Sequence, residues 1–170
     1  MSTPRRILPA LRLIQDKMIE TGIIARFQEA LERALDPIPL GRILGYRTAR
    51  LSPSEAVVGL DTTTDHYNPM GTVHGGVITA IADTAMGIAH GGSLQPGETT
   101  TTLELKINFL RPVFISRLYA HGKVTKSGRT ISLVECDVVD RDGRLVAKAS
   151  STCMTLRGKQ AEGREIRRTG

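Results

Sequence analysis

Apolar positions recur along this chain in two rhythms. Between residues 8 and 35 they fall at Leu8, Leu11, Ile14, Met18, Ile23, Phe27, Leu31 and Leu35, mostly three to five apart. That spacing predicts an amphipathic helix or helix pair, with a break at Gly22 and an end at Pro37 and Pro39. From Gly45 onward the pattern changes. Gly45–Leu51 and Glu55–Asp61 read as strands separated by a Ser52–Pro53 turn, and a polar loop covers 62–73. His74–His90, HGGVITAIADTAMGIAH, is apolar nearly all round, which predicts a helix enclosed by the rest of the protein, stopped by Gly91 and Gly92. Four strands follow: Thr99–Leu110, Arg117–Lys126, Arg129–Val139 and Leu145–Leu156, with turns at Ser127–Gly128 and Asp142–Gly143. In the first of these, Leu103, Leu105, Ile107 and Phe109 alternate with Thr102, Glu104, Lys106 and Asn108.

This order predicts an α+β fold, one antiparallel sheet wrapped around a single long apolar helix. The domain spans 40–156, with a helical extension at 1–39 and a basic tail at 157–170. The tail carries a net +3 of the total +6 and no apolar periodicity, so it reads as solvated and disordered. A length of 170 residues fits one domain with extra length, and aromatics at 4% leave the core to Val, Ile, Leu and Ala. No apolar run reaches the roughly 20 residues a bilayer needs, and the arginines near the N-terminus make a poor signal peptide. Cys136 and Cys153 sit in apolar runs, consistent with buried free thiols and a cytoplasmic setting. With no interleaved aromatics and no zinc spacing, neither nucleic acid nor membrane is an expected partner.

The candidate chemistry centres on one charge. Between Asp65 and Glu98 the only carboxylate is Asp83, among Ile81, Ala82, Thr84, Ala85 and Met86. An ionised group on an enclosed helix is costly unless partnered. It is either a structural cap or interface group, or a carboxylate held for general-base or nucleophilic work. The helix opens on His74, Gly75 and Gly76, where backbone N–H groups lack intrahelical partners and negative charge is favoured. That end suits an oxyanion, with Asn68 and His74 beside it to orient a carbonyl or a water. His74 and Asp83 are nine residues apart, about 13 Å along one helix and on opposite sides of it. If both act on one carbonyl, Asp83 must work with the helix N-terminus of a second subunit, as a two-fold dimer would arrange.

The run Asn68-Pro-x-Gly-x-x-His74-Gly75-Gly76, with Asp83 seven residues later, resembles the signature of hotdog-fold thioesterases, most closely the phenylacetate-pathway (PaaI-type) branch. Leu103–Pro112, Ser127–Ser132 and Asp142–Ala147 resemble its later strands and hairpins. The resemblance implies an acyl-CoA substrate and Asp83 as general base or nucleophile. It implies the Gly75 N–H as oxyanion donor, with Asn68 and His74 as orienting groups and Thr102 holding the water. It implies a dimer or tetramer and no metal or redox cofactor, coenzyme A being part of the substrate. Gly76 would let the substrate approach the backbone, and Arg111, Lys126 and Arg129 at strand ends are candidates for its phosphates. Two alternatives stay open: a hotdog acyl-CoA hydratase or dehydratase, and a non-catalytic acyl-CoA sensor. Against a DNA-linked sensor, the first 36 residues carry a net charge of only +1.

Overall fold

The computed structural model describes residues 22–33 and 38–164. Helix α1 (Ile23–Glu32) and the short α2 (Pro39–Leu44) precede strands β1 (Tyr46–Ser52) and β2 (Glu55–Asp61). A 3-10 turn at Thr64–His66 leads to α3 (Gly75–Gly92). Strands β3 (Thr99–Phe109), β4 (Arg117–Lys126), β5 (Ile131–Asp140) and β6 (Leu145–Leu156) complete the fold. All six strands form one antiparallel sheet in the order β1-β2-β4-β5-β6-β3. The α+β architecture read from the alternation is the one observed. Residues 1–21 and 34–37 of the expected helical extension, and 165–170 of the tail, lie outside the described residues.

The sheet's alternation supplies two cores. Ala56, Val58, Leu118, Ala120, Val134, Cys136 and Val138 face α3, where they meet Ile78, Ile81, Ala82, Ala85, Met86 and Ala89. Val57, Tyr119 and Val139 point the other way and pack against Phe27 and Leu31 of α1. Helix α1 therefore covers the outer face of the sheet, opposite α3. Gly22 caps α1 at φ 62°, the left-handed backbone that glycine adopts most readily. No described helix is long and apolar enough to cross a membrane.

Three local readings change. Gly91 and Gly92 do not stop α3, which runs through both to Ser93. The turn at Pro53 comes so close to Gly92 that a Cβ there would lie 2.5 Å from the Pro53 carbonyl oxygen. The glycine answers a tertiary contact, not a helix end. The alternation in β3 also breaks. A bulge between Thr102 and Glu104 sets Leu103 out of register and leaves it 54% exposed. Finally, Arg157–Arg164 of the tail pack on the strand ends: Arg157 bonds Glu98, the Thr99 hydroxyl donates to the Arg164 carbonyl, and Ala161 is buried. Both cysteines are free and buried.

Candidate active site

Helix α3 is buried on one side only. Gly76 and Asp83 are exposed in the single chain, where the sequence pattern placed an enclosed helix. The open face carries Gly76, Thr79, Ala80, Asp83, Thr84 and Gly87, residues too small or polar to need cover from their own sheet. Asp83 projects from this face toward β3, and the Thr102 hydroxyl donates to its Oδ1 at 3.1 Å. The bulge makes this bond available. It turns Thr102 to the helix face opposite Cys153, while Glu104 turns outward to accept from Thr152. Beneath Thr102, the Cys153 sulfur lies 3.3 Å from the Ser151 hydroxyl. Burial pushes the Cys153 thiol pKa up and the Asp83 charge adds to this, against hydrogen bonds from Ser151 and Thr102. Cys153 is thus a protonated neighbour, not a nucleophile.

At the other end of α3, His74 is the N-cap, and its Nδ1 accepts from the Gly76 N–H at 2.8 Å. That occupies the Gly76 donor. The Gly75 N–H has no acceptor among the described residues. Gly75 also has no room for a larger residue without movement: a Cβ there would lie 3.0 Å from the Phe109 ring. Phe109, which the pattern marked only as an apolar strand position, is half-exposed and lies against Gly75.

Asn68 is spent within its own loop. Its Oδ1 accepts from Met70 N at 2.9 Å and Thr72 N at 3.3 Å, and its Nδ2 donates to Thr72 Oγ1 at 2.9 Å. It shapes the approach to α3 rather than reaching Asp83 of the same chain. Gly75 and Asp83 themselves stay apart: eight residues of continuous helix separate them, about 12 Å along the axis.

The three basic candidates do not converge either. Arg111 follows β3 near Phe109, beside the Gly75 end of α3. Lys126 and Arg129 lie on the β4–β5 hairpin, level with the start of β3, since Ile131 pairs with Met154 and Met154 with Thr101. The length of β3, roughly 35 Å, separates Arg111 from Arg129. Among the described residues no three His, Cys, Asp or Glu side chains converge as metal ligands.

Comparison with known proteins fits this geometry. Residues 70–147 match the model of the Thioesterase superfamily. A Saccharolobus solfataricus protein named "Putative esterase SSO2140" is 33% identical over 118 residues, 69% of this chain and 84% of that one. The 1,4-dihydroxy-2-naphthoyl-CoA hydrolase of Listeria monocytogenes is 26% identical over 113 residues, covering 66% of this chain and 92% of that one. Among solved structures, a mutant of the phenylacetic acid degradation protein PaaI from Thermus thermophilus is 29% identical with a TM-score of 0.65. It covers 70% of this chain and 100% of that one. With the one-helix antiparallel sheet and the Asp83–Thr102 pair on its open face, the class is a hotdog-fold hydrolase, and the chain belongs to the thioesterase superfamily.

Proposed function

We propose that the protein hydrolyses an acyl-CoA thioester to the free acid and coenzyme A, at sites shared between two subunits. One observation carries the reading. The helix presents an exposed carboxylate with a fixed hydrogen bond, Asp83, and an unused N-terminal donor, Gly75, about 12 Å away, too far apart to act together in one chain. A second copy, related by a two-fold axis, brings Asp83 of each chain to Gly75 of the other. Strand β3 is the free edge of the sheet on this side, and it carries Leu103 and Phe109 exposed, as an edge awaiting a partner does.

The chemistry follows from these groups. The thioester carbonyl oxygen sits at the Gly75 N–H, where the helix end favours the charge that develops on it. The Thr102 hydroxyl holds Asp83 Oδ1, leaving Oδ2 to take a proton from water. The water oxygen bonds to the carbonyl carbon, the C–S bond breaks, and the thiolate leaves and recovers the proton from Asp83. Direct attack by Asp83 through an anhydride is the second route. A single turnover in 18O-water separates the two, because only the second puts label into the enzyme. Names among the relatives support the substrate class: one is a naphthoyl-CoA hydrolase and another, from Pongo abelii, an acyl-coenzyme A thioesterase.

The test is release of CoA thiol from short, medium, long and aryl acyl-CoAs by the wild type and Asp83→Asn. The wild type hydrolyses at least one class, and the variant, still folded, loses about 10²–10⁴ in kcat. Binding of acyl-CoA without turnover in the wild type would replace the hydrolase with the sensor reading. Hydration of an enoyl-CoA in its place would favour the hydratase.

A further inference from the structure

His66 ends the 3-10 turn on the way to α3, and its ring bonds in two directions. Nδ1 accepts from the Thr63 backbone N–H at 3.0 Å, and Nε2 lies 3.1 Å from the Leu44 carbonyl oxygen. Only one form of the ring makes both bonds. Nδ1 must be bare to accept, so the hydrogen is on Nε2 and donates to Leu44. Leu44 is the last residue of α2, and the final carbonyls of a helix have no partner within it. The neutral ring therefore ties the end of α2 to a turn 22 residues further along the chain.

The backbone of the same residue holds the start of α3. The His66 carbonyl accepts from the His74 N–H at 2.7 Å, and the Tyr67–Val73 bridge and the Asn68–Thr72 bonds close the loop between them. His74 is thus held on two sides. Its N–H is on His66, and its Nδ1 accepts from the Gly76 N–H at 2.8 Å. The peptide that joins His74 to Gly75 lies between these two bonds. A peptide is planar, so the Gly75 N–H has one direction once the His74 backbone is fixed at φ −61° and ψ 133°. A donor for a developing negative charge acts best when it is aimed before the charge forms. We propose that His66 is a positioning residue for the Gly75 donor: its ring fastens the turn to α2, its carbonyl fixes His74, and His74 aims the Gly75 N–H. This rests on the acyl-CoA hydrolase reading and names the residue that preorganises its oxyanion donor. It also gives α2 a task at the site, as the anchor of the turn.

The experiment has two arms. In the first, acyl-CoA hydrolysis is compared in the wild type, His66→Ala and His66→Asn. His66→Ala loses about tenfold in kcat with KM nearly unchanged, because the donor is misaimed while the substrate contacts remain. In His66→Asn the amide oxygen stands close to the place of Nδ1 and keeps the Thr63 bond, so part of the rate returns. A residue needed only for folding would lower the urea midpoint of His66→Ala and leave kcat per folded molecule unchanged. That result overturns the proposal, as does a His66→Asn variant that regains nothing. The second arm needs no turnover. Nitrogen NMR of the wild type shows the His66 hydrogen on Nε2 with Nδ1 bare, and exchange of the His74 amide hydrogen is about tenfold faster in His66→Ala. A hydrogen on Nδ1, or a His74 amide as protected in the variant as in the wild type, overturns it equally. If the wild type hydrolyses no thioester while ring and amide behave as stated, the hydrolase reading fails and the hold of His66 on His74 stands.

Discussion

Asp83 owes its setting to a hydroxyl from another element, and His90, two turns later on the same helix, is set the same way. His90 has no exposed surface, its Nδ1 lies 2.6 Å from the Thr100 hydroxyl and its Nε2 3.4 Å from that of Thr155. Burial lowers its pKa from 6.5, with Glu98 opposing. The pKa of His121, whose ring is tilted against Phe27 with centroids 5.0 Å apart under α1, is likewise lowered by burial, against Glu55 and Asp137 and with help from Arg26. The sign is then fixed. Above pH 6.5 each imidazole is neutral in both folded and unfolded chains and contributes nothing to a pH dependence. As pH falls below 6.5 the unfolded chain takes protons that the folded one refuses, so stability drops until the folded pKa is reached. Each histidine contributes a slope of at most about 1.4 kcal/mol per pH unit. Urea unfolding across pH 5–8 should show this decline, shallower in His90→Gln. A profile flat below pH 6.5 would mean that neither histidine is held neutral.

At the scale of elements, the decisive contact is between α3 and β4. A Cβ on Gly122 would lie 2.5 Å from the carbonyl carbon and oxygen of Ala85 and 2.7 Å from the Met86 nitrogen, all backbone atoms that cannot turn aside. Gly122→Ala should therefore lift the helix from the sheet and cost about 1–3 kcal/mol, read as a lower urea midpoint with an unchanged m-value. A midpoint equal to the wild type would show that the helix floats on the sheet. Nothing in the local pattern marks Gly122, which reads as one residue of a strand. The same is true of the β3 bulge. Period-two alternation put Thr102 and Glu104 on one face, and only pairing with β6 reveals that they face opposite ways. What was legible is what local periodicity determines: six strands, the one long helix and its glycine-rich start. Asp83 was legible as the lone carboxylate on an apolar helix and Thr102 only through likeness to a family pattern, but the exposure of Asp83 depends on what covers α3, and hydropathy counts Gly76, Ala80 and Gly87 as apolar whatever they face. Arg111, Lys126 and Arg129 looked equivalent as strand-end cations until the strand order put a sheet's length between them within one chain.

For the whole molecule, the two faces of the sheet have separate tasks. Helix α1 seals the outer face with Phe27 and Leu31, so the described part of the N-terminal extension lies away from Asp83. The open side of α3 and the β3 edge are left together on the other side, each incomplete in one chain. A shared site makes a prediction that no single-chain site can meet. Gly75 is the first residue of α3, where proline is well tolerated, and His74 before it already holds φ −61° and ψ 133°, the backbone a residue preceding proline prefers. Gly75→Pro thus deletes the donor and keeps the helix, with the half-exposed Phe109 ring shifting a few tenths of an ångström to admit the new Cβ, and the homodimer should lose about 10²–10³ in kcat. Asp83→Asn is inactive for the opposite reason. Mixed, unfolded and refolded together in equal amounts, the two give a heterodimer in half the molecules. One of its two sites then combines an intact Asp83 with an intact Gly75, and activity should return to about a quarter of the wild type. A mixture no more active than its parts would mean that Asp83 and Gly75 of one chain serve one site, or that Gly75 carries no charge at all in the reaction.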